Sequence, residues 1–122
     1  MLKKIIYIAG FLLLAGFPVP ASAIIYSSVI DDLPLMHGMT EKPDDTLVFD
    51  KPGGRIVEVS AETPASEEEV RDFYAQVLPP LGWKSPKPFE YVRENEMLKM
   101  EFEKAGGETL VHFTLTPNSE GK

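Results

Sequence analysis

Ser66-Glu67-Glu68-Glu69-Val70-Arg71-Asp72-Phe73-Tyr74-Ala75-Gln76-Val77-Leu78-Pro79-Pro80-Leu81-Gly82-Trp83 is the stretch on which the fold turns. Its first four residues form a capping box: the Ser66 hydroxyl can accept from the Glu69 amide while the Glu69 side chain reaches back. Three glutamates also suit the positive end of a helix dipole. Val70, Phe73, Tyr74, Val77, Leu78 and Leu81 then recur at helical spacing as one apolar stripe. Pro79 and Pro80 stop the helix near Leu78, because the residue before a proline avoids the helical region. Gly82 permits a left-handed exit, and Trp83 is placed to fold back on the last turn.

Strands are expected on both sides of this helix. Upstream, Leu47-Val48-Phe49 reads as a strand, Lys51-Pro52-Gly53-Gly54 as a turn, and Arg55 to Ala61 as the returning strand. Downstream, Phe89 to Arg93, Met97 to Glu103 and Thr109 to Leu115 read as an antiparallel meander with turns at Glu94–Glu96 and Ala105–Gly107. Alternation turns Leu98, Met100, Phe102, Val111, Phe113 and Leu115 inward and leaves Lys99, Glu101, Glu103, His112 and Thr114 outward. The element order ββ-α-βββ makes an α+β two-layer sandwich, one antiparallel sheet with one helix packed across one face, over residues 46–116. Within residues 24–45, Ile24-Ile25-Tyr26 and Val29-Ile30 can make a short strand or a tether, while proline and glycine forbid a regular element over Asp31–Met39. Leu33, Leu35, Met36 and Met39 are nonetheless too apolar for a free loop, so this segment is expected as an irregular strap.

The N-terminus reads as an address. Met1-Leu2-Lys3-Lys4 is a short basic start, Ile5 to Phe17 is apolar apart from Gly10 and Gly16, and Ala21-Ser22-Ala23 supplies a small-residue cleavage site. The apolar run is shorter than the roughly 20 residues a spanning helix needs. Residues 1–23 are therefore expected to be a cleaved signal peptide. The domain from Ile24 on would then lie in the periplasm or outside the cell, with no stable membrane anchor. The polar end, residues 117–122, reads as a disordered tail. The chain has no cysteine, which removes lipid attachment at the cleavage site, disulfides and thiol chemistry. Its net charge is −7, and cleavage takes only Lys3 and Lys4, leaving −9. Such a surface favours solubility and repels nucleic-acid phosphates and anionic headgroups.

The run Phe73-Tyr74…Leu78-Pro79…Leu81-Gly82-Trp83 followed by a β-meander resembles a group of uncharacterised small exported bacterial proteins. The segment Leu33-Pro34-Leu35-Met36-His37-Gly38-Met39 is similar to theirs, which often carry Pro-Gly in place of His37-Gly38. The resemblance spans most of residues 31–115. It implies a bacterial envelope protein of this architecture and no particular activity.

Two groups of residues are candidates for function. Met36, His37 and Met39 offer two thioethers and an imidazole, soft donors that suit Cu(I), with His112 as a further donor. The plainer reading has both methionines packed on the sheet as gap-fillers. Lys99, Glu101 and His112 share the polar face of the meander, where a His–carboxylate pair can act as a base or simply pair charges across strands. Nucleophile elbow, His-Glu-x-x-His and phosphate-loop motifs are absent from the sequence. Glu67, Glu68 and Glu69 point in different directions around a helix and do not converge on calcium. The expectation is a non-catalytic binding or accessory module without cofactor, meeting a protein or small-molecule partner in the envelope. The alternative is a copper-binding protein using Met36, His37 and Met39.

Overall fold

The computed structural model describes residues 24–118. The expected signal peptide, residues 1–23, and the last four residues of the expected tail lie outside them. Among the described residues eight strands form: β1 (Ile25–Tyr26), β2 (Pro34–Leu35), β3 (Thr40–Lys51), β4 (Gly54–Thr63), β5 (Lys84–Lys87), β6 (Glu90–Arg93), β7 (Glu96–Ala105) and β8 (Glu108–Pro117). One helix, α1 (Glu67–Val77), and a 3-10 turn, Pro79–Leu81, separate β4 from β5. Strands β1 and β2 pair as a small ribbon, and the other six form one antiparallel sheet in the order β3-β4-β8-β7-β6-β5.

The expected α+β sandwich of order ββ-α-βββ is therefore corrected. The fold is mostly β, with four strands before the helix and four after it. The additional strands carry no alternation to read. β1 and β2 have two residues each, and β5 is Lys84-Ser85-Pro86-Lys87, exposed throughout. The strand expected at Leu47–Phe49 begins earlier, at Thr40, because β3 runs through Pro43. The register with β4 slips between Lys42 and Leu47, a bulge that accommodates a residue with no amide to donate. β8 runs to Pro117, and the Asn118 amide donates to the Asn95 carbonyl at 2.6 Å.

The helix forms as its sequence dictates. Ser66 Oγ accepts from the Glu69 amide at 3.1 Å and Glu69 Oε1 accepts from the Ser66 amide at 2.8 Å. At the other end Gly82 has φ 101°, its amide reaches Pro79, and the Trp83 amide reaches Leu78. Sheet order gives the helix its task. β4 and β5 are four strand positions apart, roughly 19 Å, and eleven helical residues plus the 3-10 turn cover roughly that distance across the face.

The core lies under this crossing. Val57, Val59 and Ala61 of β4, Val111, Phe113 and Leu115 of β8, and Leu98 and Met100 of β7 are all buried. The expected inward set of the meander is thus observed, with Phe102 half-buried against it. Ile30, Leu33, Leu35 and Met39 close the core from the strap. The helical stripe divides: Val70, Tyr74 and Leu78 are fully buried, whereas Phe73, Val77 and Leu81 are only partly covered.

Candidate functional site

That division of the stripe creates the candidate site. Phe73, Val77 and Leu81 recur every four residues, each offset by one position or one turn from the buried Tyr74 and Leu78, so they present a second apolar strip beside the buried one. The β1–β2 ribbon stands opposite. Ile24, Ile25, Tyr26, Pro34, Leu35 and His37 on one side, and Phe73, Gln76, Val77, Pro80 and Leu81 on the other, enclose a groove of about 530 Å³. Its polar side chains are those of Tyr26, His37 and Gln76. Ile24, Ile25 and Tyr26 are 66%, 53% and 47% exposed, an unusual position for three consecutive large apolar residues.

The ribbon that forms one wall is fastened at both ends. Ile25 pairs with Leu35 and Tyr26 with Pro34, and the Ser27 amide donates to the Leu33 carbonyl at 2.8 Å. The Ser27 hydroxyl accepts from the Val29 and Ile30 amides at 3.1 and 3.0 Å, closing a serine turn. The Ser27 hydroxyl and the Ser28 amide and hydroxyl all donate to the Glu41 carboxylate, which ties the ribbon to β3. Burial pushes that carboxyl up, but these hydrogen bonds to its charged form outweigh burial and hold it below the ordinary carboxylate range. From the helix side, the buried Tyr74 hydroxyl donates to the Pro34 carbonyl at 2.7 Å. Burial drives the Tyr74 phenol far up, the Met36 backbone pulls it down and the Glu41 charge adds to the rise. The hydroxyl therefore keeps its proton and remains a donor. A groove with both walls fastened does not have to order itself when it is filled.

The copper candidates are dispersed by this packing. Met39 is 7% exposed, and its Sδ lies 3.6 Å from the Tyr74 hydroxyl inside the core. Met36 packs partly buried against the core, while His37 is exposed at the groove rim. The turn between them closes through the Met39 amide and Met36 carbonyl, with Gly38 at φ 88°. The Met39 thioether is thus an interior group rather than a surface ligand. Among the described residues no group of three histidine, cysteine or acidic side chains is arranged to hold a metal ion.

Lys99, Glu101 and His112 do lie on one face, the side of the sheet away from the helix. Glu101 is directly opposite His112, and Lys99 opposite Thr114. The hydrogen bonds run elsewhere. His112 Nδ1 is 2.8 Å from Ser60 Oγ, and its Nε2 is 2.9 Å from Glu103 Oε1. Ser60, His112, Glu101 and Glu103 line a shallow hollow of about 310 Å³ with Asp45, Glu58 and Thr114. Lys99 belongs to a different hollow with Lys87 and Glu90.

A hydroxyl, an imidazole and a carboxylate in sequence have the connectivity of an activated nucleophile. The surroundings do not complete it. Ser60 is 4% exposed at the middle of β4, paired with Lys42 on one side and His112 on the other. On the β8 side its backbone lies within the continuous ladder of Val57–Thr63 with Thr109–Leu115, so the hydroxyl sits in mid-sheet rather than at a turn or helix end that offers an oxyanion site. The chain of bonds is a cross-strand clasp of the three central strands.

The sequence does not mark Ile24, Ile25 and Tyr26, expected as a short strand or a tether, or Phe73, Val77 and Leu81, expected within one apolar stripe, as walls of a groove. The available signal was width: six stripe residues are more than one side of a short helix can bury. Ser60 carried no local signal at all.

Comparison with models of protein families, with curated proteins and with solved structures finds no match for this chain.

Proposed function

We propose that this chain is a non-catalytic binding module of the bacterial envelope whose apolar groove takes an uncharged apolar group. The observation that carries this reading is the groove of about 530 Å³ between the β1–β2 ribbon and α1. Its volume lies within the range of about 300–1,000 Å³ usual for ligand sites, and a mainly apolar lining with a few polar groups is their usual character. The chemistry recognised is an alkyl chain or an aromatic ring, presented either by a small molecule or by a side chain of a protein partner. The export pattern at residues 1–23 and the likeness to small exported bacterial proteins support the location. Among the described residues no helix is long and apolar enough to cross a membrane. The copper alternative is less well supported, because the Met39 sulfur is engaged inside the core.

A fluorescent apolar probe such as N-phenyl-1-naphthylamine tests the reading. Saturable binding at micromolar probe is expected, and Val77→Glu should weaken it at least about tenfold by placing a charge against the bound group. Displacement by a free fatty acid points to a small-molecule ligand, and displacement by an apolar peptide but not by the acid points to a protein. Absence of saturable binding, or binding unchanged by Val77→Glu, overturns the proposal.

A further inference from the structure

The two edges of the six-stranded sheet are made differently. β5 is four residues long and carries two lysines and a proline, the usual means of preventing a further strand from pairing. β3, at the opposite edge, is twelve residues long, and its far half is Leu47-Val48-Phe49-Asp50-Lys51. Leu47, Val48 and Phe49 are 48%, 47% and 43% exposed. Among the described residues, the large exposed apolar side chains fall in this run and in the groove wall at 24–26.

From Leu47 to Lys51 the strand is regular, paired residue by residue with Glu58 to Gly54. Lys51 and Gly54 flank the two-residue turn Pro52-Gly53, so they are the closing hydrogen-bonded pair of the hairpin. Alternation from that pair directs the backbone groups of Lys51, Phe49 and Leu47 towards β4, and those of Asp50, Val48 and Thr46 out of the sheet. Among the described residues this edge therefore offers free ladder groups, with an apolar surface on both sides and no proline between Thr46 and Lys51.

We propose that β3 joins a second copy of this chain, antiparallel and edge to edge, with Val48 on the two-fold axis. This register sets Val48 against Val48 of the partner subunit and Leu47 against Phe49 of the partner subunit. It also sets Lys51 against Asp45 of the partner subunit, a pair of opposite charges made twice by symmetry. Asp45 already lies on the same side of the sheet as Leu47, Phe49 and Lys51, since it lines the hollow with Ser60 and His112. Neighbouring registers of the same hydrogen-bond parity are worse. Centring on Asp50 opposes two like charges and brings Val48 against Pro52 of the partner subunit, which has no amide to donate. Centring on Thr46 brings Leu47 and Val48 against acids and Phe49 against Pro43 of the partner subunit. Charge and apolar pattern thus select one self-complementary arrangement, an isologous contact as a two-fold dimer requires.

Five to seven residues of strand bury less than a standard interface, so the dimer dissociates on dilution. Native mass spectrometry and sedimentation of the purified protein over a concentration series should show a monomer–dimer equilibrium. Val48→Lys should leave only monomer, with unchanged circular dichroism showing that the fold survives. Asp45→Lys alone and Lys51→Asp alone should each weaken dimerisation about three- to tenfold, and the double exchange should restore it. A monomer at all concentrations up to several hundred micromolar overturns the proposal. So does a dimer that survives Val48→Lys, or a β3 edge that accepts only an added extended peptide.

Discussion

The two faces of the main sheet solve different problems with the same strands. On one face β4, β8 and β7 present Val59, Phe113 and Leu98 to a helix and a strap, and these side chains are buried almost completely. On the other, the intervening residues Ser60 and His112 join with Glu103 in a hydrogen-bonded clasp with open water beyond it. The covered face holds the molecule together and, where its helix is wider than the sheet can cover, leaves the groove. The open face orders three strands with polar bonds whose net worth is small, because water competes for the partly exposed His112 and the exposed Glu103. Stability should therefore depend steeply on the first face and only weakly on the second.

The largest effect is expected at Tyr74, whose ring packs edge-on against Phe73 and Phe113 and whose hydroxyl holds Pro34. Tyr74→Ala should lower unfolding stability by about 3–5 kcal/mol, read from urea denaturation. Tyr74→Phe should cost only about 1–2 kcal/mol, the price of leaving the Pro34 carbonyl unpaired, while weakening probe binding in the groove. If Tyr74→Phe leaves the groove unchanged, the ribbon is held by something other than this bond.

An intermediate effect is expected at Glu41, opposite the buried Ala61 and bonded to Ser27 and Ser28. Its carboxyl is held below the ordinary value of 4.5 in the folded chain. The linked stability is thus complete above about pH 4.5 and is lost as pH falls through the lower folded value. Glu41→Gln should cost on the order of 1 kcal/mol at neutral pH, a modest figure because the carboxylate is partly exposed. The difference from the native chain should shrink to nothing in acid, as thermal unfolding over a pH series would show. A difference independent of pH would mean that shape and not charge matters there.

The smallest effect belongs to the open face. Ser60→Ala should cost less than about 1 kcal/mol, since His112 is partly exposed and can take water in place of the hydroxyl. A loss as large as that at Tyr74 would mean that the clasp is structural, and the contrast between the faces would fail.

What could be read from the sequence follows the range of the interactions involved. The capping box at Ser66–Glu69, the left-handed exit at Gly82 and the alternation of β7 and β8 are set by residues a few positions apart, and all of them form as expected. β5 was not legible because Lys84-Ser85-Pro86-Lys87 has no apolar face, and it pairs only because β6 is there to receive it. The polar set Lys99, Glu101 and His112 was legible as a shared face but not as a site, since the bonds of His112 go to Ser60 and Glu103.

By itself the sequence determined the helix and its ends, the inward and outward sides of the meander, and the turn between β3 and β4. Only the tertiary structure decided the strand order, the division of the helical stripe into core and groove wall, and the pairing of Ser60 with a histidine 52 residues away. The reason is physical: a period or a cap is written in neighbouring side chains, whereas adjacency of distant strands depends on how the whole chain shares one sheet and one core.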